Sequence, residues 1–300
     1  MRFPCRLALL VIGSTLPVFI GVGPARAEDL PKSPRAAAAP ASAGKTDVAS
    51  EGFTAPEAKE EAKEVTVAEI SAGGLITSGN SRQLALTASS RVRVRRLDHQ
   101  FGGALAANFA QAAATTEADM ETTVLNLQGR VRYDYFFADH WSAFLGVSAR
   151  RDRFQGLDLR LNVDPGVAYY VMSAPAHQLW FELGYDLQFD VRREENLAEA
   201  EAAGTVLDRT ESRHSARAFV GYTNKLNERV SFDTGLEYIQ SVESGESENW
   251  RLNYDAVLTS NIAGNFSTAV TFMLKYDNNP LPGIEELDLL TSFNLVYTLL

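Results

Sequence analysis

The chain has 300 residues, of which 45% are hydrophobic and 22% charged, and its formal net charge at pH 7 is −10. This acidic balance argues against nucleic acid as a partner, because phosphate binding requires a basic face. The single cysteine, Cys5, excludes a disulfide framework. Mean hydropathy is only −0.14, as expected when apolar residues alternate with polar ones.

The N-terminus resembles an export signal. Two arginines precede an apolar run from Leu7 to about Val22, and Ala25-Arg26-Ala27 follows. A basic start, a short apolar core and a small-x-small site are typical of a secretory signal peptide. We predict a signal peptide over 1–27, cleaved after Ala27, which leaves a mature net charge of about −13. With Cys5 removed, neither thiol chemistry nor a lipid anchor is expected.

Residues 28–64 differ in composition from the rest of the chain. They are rich in Pro, Ala, Lys and Glu and show no periodic apolar face. Such a segment buries too little apolar surface to offset the entropy of ordering. We predict a disordered linker.

Residues 65–300 divide into segments in which apolar and polar residues alternate. Side chains of a strand point alternately to its two faces, so each segment predicts a strand with one apolar face. Ten or fourteen strands are the alternatives to the twelve that we count. Pro165-Gly166 predicts a bulge or bend, since proline cannot donate to the ladder. The predicted strands are 65–77, 82–96, 101–112, 122–137, 141–154, 157–172, 178–193, 209–225, 229–242, 250–262, 266–277 and 288–300.

The connections alternate in length. One set is short, as at 97–99 and 138–140, whereas the other is longer and more acidic, as at 194–208. Transmembrane barrels have short periplasmic turns and longer outer loops. The strands exceed the five or six residues usual in a soluble sandwich, which is the alternative fold. We therefore predict an all-β fold: an antiparallel outer-membrane β-barrel of about twelve strands over 65–300.

Aromatic residues gather near the predicted strand ends. Such girdles mark the two membrane interfaces of a barrel. The predicted girdle residues include Tyr133, Tyr135, Phe136, Phe137, Trp141, Tyr169, Tyr170, Trp180, Tyr222, Trp250, Phe266, Tyr276 and Tyr297.

If the apolar phase faces lipid, the polar phase lines the lumen. Its charges either pair into a network that fills the lumen or line a water-filled path and set its ion preference. Twelve strands lie between filled eight-stranded barrels and open porins of about 16 strands. The predicted lumen residues are Arg91, Arg93, Arg95, Arg130, Arg132, Asp134, Arg150, Asp152, Arg160, Asp164, Glu182, Asp186, Asp190, Arg192, Arg217, Asp233, Glu237, Arg251, Asp255, Lys275 and Asp277.

Four short features resemble a known family. They are Ser78-Gly79-Asn80-Ser81 after the first strand, the Arg-rich second strand, Asp164-Pro165-Gly166-Val167, and the acidic strand around Glu182. On these, the chain resembles the YdiY-like, or salt-stress-induced, outer-membrane proteins, a domain family of unknown function. The resemblance covers about 65–300 and implies an outer-membrane barrel with no assigned reaction, linked to salt or osmotic stress. The end at Leu299-Leu300 departs from the aromatic terminus common in such proteins.

A hydrolase is the alternative function in a different class. Ser212 and His214 share one face of the eighth predicted strand, and a base must lie within hydrogen-bond reach of its nucleophile. The other histidines fall in separate turns, and no spacing resembles a calcium loop, so neither a cofactor nor a metal is expected. The expected partners are outer-membrane lipid, lipopolysaccharide and the barrel-assembly machinery, and the oligomeric state stays open.

Overall fold

The structure is a computed structural model that describes residues 59, 64–78, 82–113, 118–153, 156–202, 204, 206–245, 248–279 and 286–299. The predicted signal peptide lies outside the described residues, and so does the predicted linker apart from Lys59 and Glu64. Within the described part, no helix is long and apolar enough to cross a membrane.

Twelve antiparallel strands close into a barrel in which each strand pairs with its neighbours in sequence and the last pairs with the first. The predicted fold class is therefore confirmed. The strands are β1 Glu64–Thr77, β2 Arg82–Arg96, β3 His99–Ala113, β4 Glu121–Ala138, β5 Trp141–Asp152, β6 Leu157–Ser173, β7 His177–Arg192, β8 Thr210–Lys225, β9 Val230–Ser241, β10 Trp250–Ala263, β11 Phe266–Asp277 and β12 Leu287–Thr298.

The strand boundaries follow the alternating pattern closely. Every predicted end lies within two residues of the observed one, so ten and fourteen strands are excluded. The unpredicted element is α1, Glu194–Ala202, in the connection between β7 and β8. Alanine, leucine and glutamate favour helix, and the acids of its first turn complement the helix dipole. This composition was the sequence signal that could have predicted the helix.

No bulge forms at Pro165, although the β6–β7 ladder has no pair at Asp164 or Pro165, as expected from the missing proline donor. The β6–β7 pairing keeps the same register from Val163↔Leu187 to Gly166↔Gly184, and its shifts lie nearer the two ends of β6. Gly166 instead makes room for an inward aromatic ring. A Cβ there would lie 2.4 Å from Cζ of Phe144, so only glycine fits under that ring.

The barrel has a polar interior and an apolar exterior. On β7, Glu182 is 1% and Asp186 2% exposed, whereas the alternate Phe181 and Leu183 are 47% and 66% exposed. A soluble sheet would bury the second set. Apolar residues outside and polar residues inside are the pattern of an outer-membrane barrel.

Three of the predicted girdle residues are misassigned. Phe136, Tyr170 and Trp180 are at most 5% exposed and form one buried cluster with Phe144 and Phe219. They occupy the inward phase of their strands, next to the short turns. Exposed pairs such as Trp141–Tyr169, with ring centroids 4.8 Å apart, lie on the lipid-facing phase, as predicted.

Lys59 contacts this end of the barrel, although it belongs to the predicted linker. Its Nζ donates to the Asp139 carbonyl (2.9 Å) and lies 5.1 Å from the Phe136 ring centroid. Gln178 Nε2 donates to the Lys59 carbonyl (2.8 Å). Residues 60–63 between Lys59 and β1 are outside the described part.

Candidate functional site: the barrel lumen

The structure places the predicted lumen residues on the inward-facing phase of their strands. Strand geometry alone sets this, since side chains two residues apart share a face. One central group includes a contact across the lumen, and several other lumen residues pair along the wall. The central group contains Arg132, Asp134, Glu182, Arg217 and Glu237.

Glu182 on β7 is the centre of this group. It accepts hydrogen bonds from Arg132 Nη1 (3.1 Å) and Arg217 Nη1 (2.9 Å). Arg132 also binds Asp134, with Nη2 2.7 Å from Oδ1 and Nε 3.0 Å from Oδ2. Arg217 Nε donates to Glu237 (2.5 Å). We call these five side chains the lumen network.

The lumen network crosses the interior of the barrel at one contact, Arg132–Glu182, whereas its other contacts join residues of the same or neighbouring strands. Arg132 projects from β4 and Glu182 from β7, and β5 and β6 lie between them. A second crossing joins Arg251 on β10 to Gln188 on β7 (2.8 Å), past β8 and β9. These contacts run through the interior of the barrel and narrow it.

Aromatic rings line one side of the lumen network. The Arg132 guanidinium lies 4.1 Å from the Phe144 ring centroid, and Trp180 Nε1 donates to Glu182 (3.2 Å). Cation–π contacts and charge-assisted hydrogen bonds stabilise charges that would otherwise be costly to bury. The lumen network therefore holds two arginines among three carboxylates, and these contacts compensate most of its buried charge.

Several other lumen charges pair with neighbours on the wall. Arg160 on β6 binds Asp190 on β7 through two hydrogen bonds of 2.8 and 2.6 Å. Arg150 binds Asp152 on its own strand (2.6 Å). Arg95 Nε donates to the Leu97 carbonyl (3.0 Å), and its guanidinium lies 4.1 Å from the Phe136 ring centroid. The two ion pairs thus join residues of the same or neighbouring strands.

Sequence reasoning missed three charged lumen residues. Glu69 binds Arg91, and Glu211 binds both Arg192 and Arg213. Glu69 lies in a β1 segment whose apolar and polar residues alternate irregularly, so the sequence does not show which face of the strand it occupies. Glu211 and Arg213 stand in the same phase as Arg217, so the alternation of β8 could have found them.

The Ser-His pair considered for a hydrolase does not form in this structure. His214 Nδ1 lies against the hydroxyl of Tyr185, and its backbone N–H donates to Glu243 (2.8 Å). Ser212 and His214 are both exposed on the lipid-facing phase. In the part of the chain that the structure describes, no group of three or more His, Cys, Asp or Glu side chains could hold a metal ion.

A family model described as "Protein of unknown function, DUF481" matches residues 70–299, from β1 to β12. The chain belongs to this family. The expected membership of a domain family of unknown function is thus confirmed. No curated protein matches the chain.

Several solved structures are similar to this family member. The NanC porin is 13% identical, with 77% of this chain and 100% of the porin covered at a TM-score of 0.47. The COG4313 outer-membrane channel from Pseudomonas putida F1 is 11% identical, with 81% and 99% covered at 0.45. The translocator domain of the autotransporter NalP from Neisseria meningitidis is 8% identical, with 78% and 86% covered at 0.40.

Proposed function

We propose that the protein is a non-enzymatic outer-membrane barrel that forms a narrow pore constricted by the lumen network. One observation carries this proposal: Arg132 from β4 binds the buried carboxylate of Glu182 on β7, across two intervening strands. A contact across the lumen reduces its cross-section, whereas a contact along the wall does not.

The size of the barrel supports a narrow path rather than an open one. Eight strands enclose only side chains, whereas 16 to 18 strands leave an aqueous channel. Twelve strands leave a space between these limits, and the lumen network occupies its middle. Water and small ions fit the polar path that remains, whereas larger solutes are excluded.

Single-channel conductance of the refolded protein in planar bilayers tests the proposal. We expect a small, steady conductance in several salts. Arg132→Ala removes a crossing contact and should raise the conductance severalfold. Arg160→Ala is the matched control, because it also removes an arginine from a carboxylate pair but on the wall, so it should change the conductance much less.

Two results would refute the narrow pore. One is a wild-type conductance as large as that of an open porin. The other is a folded barrel that stays silent in wild type and in the Arg132→Ala/Arg217→Ala double variant, which would show a structural barrel without a path.

The proposal includes export to the outer membrane and assembly there. The apolar exterior supports contact with outer-membrane lipid and lipopolysaccharide, and the barrel-assembly machinery is the proposed insertion partner. Membrane fractionation of cells tests the location, and depletion of that machinery should reduce the inserted protein. The link to salt stress remains a prediction, which growth of a deletion strain at high salt would check.

A further inference from the structure

Lys59 is bound at the short-turn end of the barrel, although it precedes the first strand in the sequence. Its Nζ donates to the Asp139 carbonyl (2.9 Å) and lies 5.1 Å from the ring centroid of Phe136 and 5.6 Å from that of Tyr170. Gln178 Nε2 donates to the Lys59 backbone carbonyl (2.8 Å). The barrel therefore contacts both the side chain and the main chain of this one residue.

The groups around Lys59 suit an alkylammonium ion that belongs to a peptide. A carbonyl oxygen accepts a hydrogen bond from an ammonium group, and the faces of aromatic rings attract a cation. Gln178 adds a donor for a backbone carbonyl, which a metal ion or a simple ammonium ion lacks. Phe136, Tyr170 and Gln178 are at most 6% exposed, so the site is built from buried side chains of the barrel.

The groups that bind Lys59 lie far from β1 in the ring of strands. They belong to β4, the β4–β5 turn, β6 and β7, which are three to six strands away from β1 in the closed ring of twelve. Phe136, Tyr170 and Gln178 occupy the inward phase of their strands next to the short turns. Lys59 is thus held at the short-turn mouth of the barrel, away from the strand that follows it in the sequence.

A line of contacts connects Lys59 to the lumen network. Tyr170 stacks on Trp180 with ring centroids 6.4 Å apart, and Trp180 Nε1 donates to Glu182 (3.2 Å). Two aromatic rings therefore separate Lys59 from the central carboxylate of the lumen network.

We propose that Phe136, Tyr170, Gln178 and the Asp139 carbonyl form a lysine-binding site at the short-turn mouth, and that Lys59 of the same chain is its ligand. Bound there, Lys59 narrows the mouth and places a fixed positive charge in it. This consequence rests on the proposed pore, whereas the binding of Lys59 does not.

Acetylation of the refolded protein tests the site independently of conduction. Sulfo-N-hydroxysuccinimide acetate is the probe, and mass spectrometry compares the reaction rate of Lys59 with that of Lys225, which is exposed at the same end. We expect Lys59 to react severalfold more slowly, because its amine is engaged by a carbonyl and two rings. Gln178→Ala should speed the reaction of Lys59.

Gln128→Ala is the matched control for the acetylation rates. It removes a similarly buried lumen glutamine that lies nearer the long-loop end of its strand, and it should leave the Lys59 rate unchanged. Equal rates for Lys59 and Lys225 would overturn the site, and so would a Lys59 rate that Gln178→Ala does not alter.

Single-channel conductance tests whether bound Lys59 restricts the pore. Lys59→Met should raise the conductance and shift the ion preference toward cations, because it removes the bound ammonium group. Arg229→Met removes a positive charge from an exposed position in a short turn at the same end and should change both much less. An unchanged Lys59→Met conductance beside a raised Arg132→Ala conductance would overturn the restriction, although the pore would stand. A barrel silent in both variants would refute the pore, and the acetylation rates would still decide the site.

Discussion

Glu182 is a fully buried carboxylate that two arginines bind. Neutralising Glu182 removes one of the negative charges that balance the buried guanidinium groups of Arg132 and Arg217. Removing one partner of a buried pair costs about 3–5 kcal/mol. This cost lowers the stability of the folded barrel, so a measurement of the free energy of unfolding can test it.

Glu182→Gln should accordingly lower the free energy of unfolding by an amount of about that size, measured by urea titration of the refolded barrel in detergent. Glu195→Gln is the control, because Glu195 is exposed on α1 where it pairs with Arg193, and it should have an effect of about 0–1 kcal/mol. Equal effects for the two variants would show that the lumen network contributes little to stability.

Gly221 shows how tightly the aromatic cluster is packed. A Cβ at this position would lie 2.2 Å from Cζ2 of Trp180, a distance at which the indole must move. Glycine is therefore required for close approach rather than for its backbone freedom.

Gly221→Ala should destabilise the barrel by about 1–3 kcal/mol, the usual cost of overpacking. It should also shift the fluorescence of Trp180. Gly146→Ala provides the comparison, because its Cβ would meet atoms no closer than 3.5 Å. A silent Gly221→Ala variant would mean that the Trp180 ring moves aside freely.

At the scale of elements, β1 combines two environments in one strand. Its residues Glu69–Gly73 are paired on both sides, whereas the stretch after Gly73 is paired with β2 alone. A backbone amide without a hydrogen-bond partner exchanges its proton faster than a paired amide, because no hydrogen bond has to open first.

Hydrogen exchange followed by mass spectrometry should therefore show faster exchange in peptides of β1 that cover 74–77 than in those that cover 69–73. The same comparison on β7, which is paired along its length with β6 and β8, provides the internal reference. Uniform protection along β1 would contradict the incomplete pairing of β1 with β12.

At the scale of the whole molecule, the alternation of short and long connections sets the orientation of the barrel. The short turns lie at the same end as the start of β1 and the end of β12, and α1 lies in a long connection at the other end. Barrels of this kind expose their longer loops on the outer surface.

An epitope inserted at Gly204, which is exposed and has no neighbour within 4 Å of an added Cβ, should bind antibody on intact cells. The same epitope added after Leu300 should be detected only after the outer membrane is permeabilised. The opposite result would reverse the proposed orientation.

The sequence by itself indicated about twelve strands, with ten or fourteen as alternatives, and it determined their boundaries to within two residues and which side chains share a face. These are local properties, because alternation with a period of two and polar turn residues depend on neighbouring positions. The helix α1 was missed, although its Ala and Glu content is also a local signal. Phe136, Tyr170 and Trp180 were misassigned because an aromatic residue near a strand end suits either face.

Only the tertiary structure decided which charges meet. Arg132 and Glu182 are fifty residues apart in the chain, and the curvature of the closed sheet determines whether two inward side chains touch or face open space. The incomplete β1–β12 seam is likewise not encoded in the pattern of either strand. It depends on how the first and last strands of the barrel pair, and these strands meet only when the barrel closes.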